Sequence, residues 1–131
     1  SIIDPDVELM LKLHLWEKRK VVNLKRMYLY DKKPVGYDEK YIIYYSGMPL
    51  VETEINYPSM YLKNMLISDF HIDLKISAQK ADAYVSSLLN EKNGAPVTVV
   101  EQIIKDDNEL VLGYGITYYL APYFEIKAKS F

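Results

Sequence analysis

Residues 20–45, KVVNLKRMYLYDKKPVGYDEKYIIYY, decide the fold. Lys20 to Tyr30 is rich in β-branched and aromatic residues, and Val35 to Tyr45 is a second such run. Between them, Asp31-Lys32-Lys33-Pro34 is a turn signal. The three pieces predict one long hairpin. Alternation along its first strand puts Val22, Leu24, Arg26, Tyr28 and Tyr30 on one face, and Val21, Asn23, Lys25, Met27 and Leu29 on the other. Arg26 thus lies on the face richer in aromatic rings. A partly buried guanidinium there needs an anion, from the protein or from a ligand. Asp38 and Glu39 across the hairpin are the protein's own candidates.

Working outward, Asp4-Pro5 reads as a helix N-cap followed by proline at the first helical position. Val7, Met10, Leu11 and Leu15 recur at helical spacing, and the helix is expected to end near Glu17-Lys18-Arg19-Lys20. Beyond the hairpin, a short helix is expected after Pro58-Ser59. Ile72 to Gln79 alternates as a strand, and Asp82 caps a helix over residues 83–91 that Asn93-Gly94 closes. Pro96 to Lys105 and Leu110 to Leu120 read as strands joined by the polar turn at residues 106–109, and Tyr123 to Lys129 as a last strand. Hairpin-linked strands with three helices between them predict one α+β domain, an antiparallel sheet with flanking helices.

The 131 residues suffice for one domain. With 16 basic and 18 acidic side chains the net charge is −2, which argues against a surface that grips nucleic acid by its phosphates. The absence of Cys removes disulfides, thiolate metal sites and cysteine nucleophiles, and two histidines, His14 and His71, give no basis for a metal centre. No apolar run approaches the roughly 20 residues of a membrane helix. No secretory leader is visible, so the cytoplasm is the expected setting. A first residue other than Met is read as a processed or trimmed chain. Thirteen tyrosines against one Trp and three Phe suit strands and half-wet surfaces.

No catalytic signature is present: no GxSxG, HExxH, P-loop or GxGxxG. On the late strand, Gly113, Gly115, Thr117 and Tyr119 share a face, and the two glycines leave a bare trough. Either a helix packs into it or a ligand does. Ser59-Met60-Tyr61 offers a hydroxyl and free backbone N–H groups at a helix start, which serves an anion or a plain N-cap equally. Glu52-Thr53-Glu54 reads as a solvent-facing pair of carboxylates rather than a catalytic one.

Taken in order, LKRMYLYDKKPVGYDEKYI, SMYLKNML and ISAQKADAYVSSLLNEKNGAPVTVVEQIIKDDNELVLGYGITYY resemble the UTRA domain, the effector-binding domain of GntR-type regulators of the HutC subfamily. The likeness spans essentially the whole chain, residues 1–131. It implies a chorismate-lyase-like fold and a homodimeric small-molecule sensor. Operator DNA would be bound by an N-terminal winged helix-turn-helix that is not part of this chain. The implied effector is a small molecule, anionic or a sugar phosphate. In the family's sugar-phosphate binders, the residues matching Arg26 and Ser59 hold phosphate and the one matching Asp38 takes sugar hydroxyls. The expected ligand-binding set is therefore Arg26, Tyr28, Asp38, Ser59, Tyr61 and Tyr119, with no catalytic residue, cofactor or metal. A stand-alone chorismate-lyase-like enzyme is the alternative. The sequence departs from the pattern at Tyr28, where many members carry a second Arg, and at Gly113, where a Glu is usual.

The resemblance makes a geometric demand. Arg26 and Asp38 must share a face. A two-residue loop at Lys32-Lys33 would place Arg26 opposite Glu39 and turn Asp38 away. Only an odd-length loop or a one-residue bulge brings Asp38 round.

Overall fold

The computed structural model describes residues 1–44, 70–127 and 129. The elements in chain order are β1 (Ile2–Ile3), α1 (Val7–Lys12), β2 (Val21–Tyr30), β3 (Lys33–Ile43), β4 (Phe70–Lys80), α2 (Ala83–Leu88), β5 (Pro96–Asp106) and β6 (Val111–Leu120). The six strands form one sheet in the order β1-β2-β3-β6-β5-β4, antiparallel throughout.

The hairpin meets the demand by a bulge. Asp31 and Lys32 both adopt positive φ, 49° and 65°, as a tight two-residue turn requires, so Tyr30 pairs with Lys33. The loop is therefore one residue earlier than Lys32-Lys33. The register then shifts: Leu29 faces Pro34 and Tyr28 faces Gly36, leaving Val35 as the extra residue. Beyond it, Arg26 stands directly opposite Asp38. Pro34 is tolerated because the β3–β6 ladder begins only at Gly36, so at Pro34 no second strand waits for an N–H.

Parity now sorts every strand. One face, the arginine face, carries Arg26 and Tyr28 of β2, Gly36, Asp38 and Lys40 of β3, Gly113, Gly115, Thr117 and Tyr119 of β6, and Ile72, Leu74 and Ile76 of β4. The other, the helix face, is covered by both described helices. Val85 and Leu89 pack with Tyr37, Val97, Val99 and Leu120, while Leu9 and Leu13 pack with Val21, Tyr41 and Tyr114. Each fully buried aliphatic there contributes about 1.5–3 kcal/mol.

Several expected boundaries move. Asp6, not Asp4, caps α1: its carboxylate accepts from the Leu9 N–H at 2.8 Å. Asp4 instead pairs with Lys20 at 2.7 Å. The helix stops at Lys12, well before Glu17, because His14 turns to φ 54°. Trp16 is left fully exposed. The second helix keeps its Asp82 cap but ends at Leu88, with Asn90 at φ 54°, rather than at Glu91. The strand expected from Tyr123 to Lys129 is not formed by its described residues. Pro122 leads a single 3-10 turn over Ala121–Tyr123, and the described residues after it form no regular element. The helix expected after Pro58-Ser59, and Glu52-Thr53-Glu54, lie outside the described residues.

Candidate functional site

Asp38 is the centre of the arginine face. It is 1% exposed, and an ionised carboxylate at that depth must be paired. Its own strand and both neighbouring strands supply partners. Thr117 of β6, opposite Asp38 in register, donates its hydroxyl at 2.6 Å. Lys40, two residues on along β3, donates from Nζ at 2.9 Å. Arg26 of β2 lies at 3.5 Å. The cross-strand pairing that the sequence offered as the plainest explanation of Arg26 is therefore present, with Asp38 and not Glu39 as partner.

An aromatic wall adjoins the charges. The Arg26 guanidinium lies over the Tyr28 ring at 5.6 Å and donates to its hydroxyl at 3.2 Å. Tyr28 and Tyr119 stack with centroids 6.0 Å apart, and Phe124 adjoins Tyr119 at 5.2 Å. Gly36 makes the stack possible. It sits between the two tyrosines in register, and a Cβ there would meet Tyr119 Cδ1 at 3.1 Å and Tyr28 Cδ2 at 3.2 Å. Burial raises the pKa of both tyrosine hydroxyls, with the Asp38 charge adding to it.

The glycine trough has an occupant that neither expectation named. A Cβ at Gly115 would meet Lys40 Cγ at 3.3 Å, so the lysine stem crosses the strand where the side chain is missing. Among the described residues no helix packs against Gly115. The absence of Cβ is what lets Lys40 reach Asp38 while only 12% exposed.

Four of the six expected residues, Arg26, Tyr28, Asp38 and Tyr119, are thus brought together. Ser59 and Tyr61 lie outside the described residues. Sequence reasoning missed Lys40, Gly36 and the pairing role of Thr117. The signal was available: Gly36, Asp38 and Lys40 alternate along β3, and Thr117 was already on the right face of β6. Lys40 also supplies a second cation on the face where Tyr28 stands in place of the second arginine that the family resemblance leads one to expect.

Comparison with known proteins gives the family. The UTRA domain model matches residues 1–125. The chain belongs to the UTRA domain family. Membership supports the reading of an effector-binding regulatory domain rather than an enzyme. No curated protein matches the chain in sequence. Among solved structures, a GntR-family transcriptional regulator from Enterococcus faecalis V583 is similar, with a TM-score of 0.82 at 22% identity, over 99% of this chain and 95% of that one. A GntR-family regulator from Bacillus cereus has a TM-score of 0.84 at 17% identity, over 100% and 93%. YydK, a possible transcriptional regulator of Bacillus subtilis, has a TM-score of 0.81 at 16% identity; the match covers 99% of this chain but 59% of that longer one. These likenesses establish the fold.

On the helix face of this UTRA domain, the next residue of β3 is held quite differently. Glu39 accepts hydroxyls from Tyr41 at 2.6 Å, Tyr37 at 2.9 Å and Tyr84 of α2 at 2.5 Å. Burial pushes its pKa up, but the three donors together outweigh that and hold it below the ordinary carboxylate value. Burial and the same hydrogen bonds push the Tyr37 and Tyr41 hydroxyls far up, and burial near Glu39 takes Tyr118 up to about 12. A cleft of about 330 Å³ opens beside Glu39, Tyr41, Tyr114 and Lys12, on the side of the sheet away from Arg26. Close by, Glu101 is held by Tyr114 at 2.7 Å and Lys12 at 3.3 Å. His71, Asp73 and Glu109 cluster at the surface, but Lys105 already bridges Asp73 and Glu109 at 3.0 and 3.3 Å, which fits an ion-pair group rather than a cation site.

Proposed function

We propose that the arginine face binds the head group of a small anionic effector, a sugar phosphate or a carboxylate. Arg26 and Lys40 supply the charge, and Tyr28 and Tyr119 supply a surface for the body of the molecule. The observation that carries this reading is the convergence of two cations on Asp38 beside a stacked pair of tyrosines. A guanidinium fork and an ammonium give strong, charge-assisted hydrogen bonds to phosphate or carboxylate oxygens. Asp38 acts here as a positioning residue. It already accepts from Thr117 and Lys40 and is almost fully buried, so it orients the cations rather than reaching for sugar hydroxyls. Ser59 and Tyr61 remain part of the proposed set through the family likeness alone.

The domain works without catalysis, as a homodimer in the cytoplasm whose effector sets the geometry of an N-terminal DNA-binding domain. A coupling of about 1–3 kcal/mol suffices for such a signal. The test is a thermal-shift screen of the purified chain against sugar phosphates and amino-acid-derived carboxylates. A stabilising compound is expected, and Arg26→Ala should weaken its binding more than about tenfold with the fold intact. A compound whose affinity ignores both Arg26→Ala and Lys40→Ala places the effector elsewhere. Tight, salt-sensitive DNA binding by the chain alone contradicts the division of labour.

A further inference from the structure

β4 ends the sheet. Its inner edge pairs with β5 along its whole length, from Phe70 opposite Asp106 to Lys80 opposite Pro96, and its outer edge has no strand partner among the described residues. An edge of this length is ordinarily blunted by a proline, a bulge or inward-pointing charge. β4 has no proline, and its pairing with β5 is regular throughout. It carries instead three exposed aliphatic side chains in a row on the arginine face: Ile72 at 43%, Leu74 at 60% and Ile76 at 44%. Aspartate and lysine alternate with them on the other face, at 73 and 75.

We propose that this edge pairs with the same edge of a second copy, antiparallel, about a two-fold axis at Leu74. This rests on the homodimer reading above and names its interface. The order Ile72-Asp73-Leu74-Lys75-Ile76 is self-complementary about its centre. In the antiparallel pairing centred on Leu74, Ile72 faces Ile76 of the second copy, Asp73 faces its Lys75, and Leu74 faces Leu74. Outside that core, His71 would face Ser77 and Phe70 would face Ala78. Opposed residues share a face, so the aliphatic row runs unbroken across the axis and the two arginine faces lie on one side of a joined sheet. The Asp73–Lys75 charge pair occurs twice by symmetry. Registers centred on Asp73 or on Lys75 set identical charges directly against each other, which is destabilising. Lys75 stands opposite Glu101 on β5 and its charge helps hold that carboxyl down, but it makes no ion pair within 4 Å among the described residues, and Asp73 uses Oδ2 for Lys105. The main-chain donors and acceptors of the open edge find partners in the same step.

The chain has no cysteine, so Leu74→Cys introduces a unique thiol. Residues directly opposed across two strands bring their Cβ atoms to about 4.5–5.5 Å, close to what a disulfide needs. Mild oxidation should therefore give a covalent dimer from Leu74→Cys but not from Ile72→Cys, whose own symmetry mate lies about four residues, or roughly 13 Å, away. In sedimentation equilibrium, Lys75→Asp should weaken dimerisation about tenfold, and Asp73→Lys with Lys75→Asp together should restore it. A wild-type dimer that gives no Leu74→Cys crosslink and ignores Lys75→Asp overturns this interface and leaves the dimer reading standing. A wild-type chain that sediments as a monomer overturns both. A crosslink from Ile72→Cys in place of Leu74→Cys overturns the register.

Discussion

Asp38 and Glu39 are neighbours on one strand, both carboxylates, the first buried and the second half-buried, yet the two faces of the sheet hold them by opposite means. Asp38 is held by charge, from Lys40 and Arg26, with one hydroxyl from Thr117. Glu39 is held by three neutral tyrosine hydroxyls. The difference has a physical consequence. A carboxylate surrounded by cations is part of a field that an incoming anion can enter and rearrange. One caged by hydroxyls keeps its charge through short dipoles that fix the positions of Tyr37, Tyr41 and Tyr84, and with them α2 on the sheet. The first arrangement suits recognition, the second suits support.

The largest expected effect attacks the first face. Asp38→Ala removes the carboxylate that Lys40 and Arg26 share and leaves the nearly buried Lys40 ammonium without it, and should cost about 3–5 kcal/mol in urea denaturation. A loss below about 1 kcal/mol would mean that water, not Asp38, satisfies the Lys40 ammonium. Next comes the second face. Glu39→Gln keeps the shape but sets an amide donor against tyrosine donors, for a loss of about 2 kcal/mol. Because the folded-state pKa of Glu39 is depressed, its contribution is present above the unfolded value near 4.5 and is lost as pH falls through the folded one. Glu101, lowered chiefly by the Tyr114 hydroxyl, has the same sign. Acid unfolding profiles should therefore be shallower in Glu39→Gln than in the wild type; identical slopes would separate Glu39 from the acid limb.

Gly36→Ala tests the aromatic wall beside the first face. The added methyl must displace two rings and meets the Tyr118 carbonyl at 3.2 Å, a cost of about 1–2 kcal/mol that leaves the Glu39 cage in place. Lys32→Gly is the smallest change and touches neither face. It relieves a left-handed lysine in the hairpin turn and should add about 0.5 kcal/mol of stability. A larger response on either face would show that the turn and the sites are coupled.

The two faces were not equally legible in the sequence. Strand parity was enough to place Arg26 among tyrosines and to state what would bring Asp38 beside it. The hairpin turn, the Asp82 cap and the strands from Pro96 to Leu120 also follow from local chemistry. Lys40 escaped notice because a lysine in a strand reads as a solvent-facing residue until the missing Cβ of Gly115, more than seventy residues on, opens a path for its stem. The Glu39 cage needs three tyrosines from two elements, including Tyr84 from α2, and no spacing rule links positions 39 and 84. Helix lengths were overestimated for a related reason. Leu15 and Trp16 continue an apolar period, but the backbone at His14 has already left the helix. Periodicity records which residues are apolar, not where the chain turns.

The extra residue at Val35 gives the hairpin a tolerance for changes of length. Residues 27 to 37, which separate Arg26 from Asp38, are odd in number, and with a two-residue turn one of them must stand outside the pairing. A homologue that lost any one residue from this stretch would have an even number, and could keep the same opposition by closing a regular hairpin with no bulge. A homologue that gained one could do likewise with one more rung. Single insertions and deletions near the tip are thus absorbed by making or removing a bulge, and the arginine and the aspartate keep their partnership while the tip drifts in evolution. Aligned by sequence, such homologues differ by a gap beside the site; superposed by structure, the gap falls at a single bulged residue.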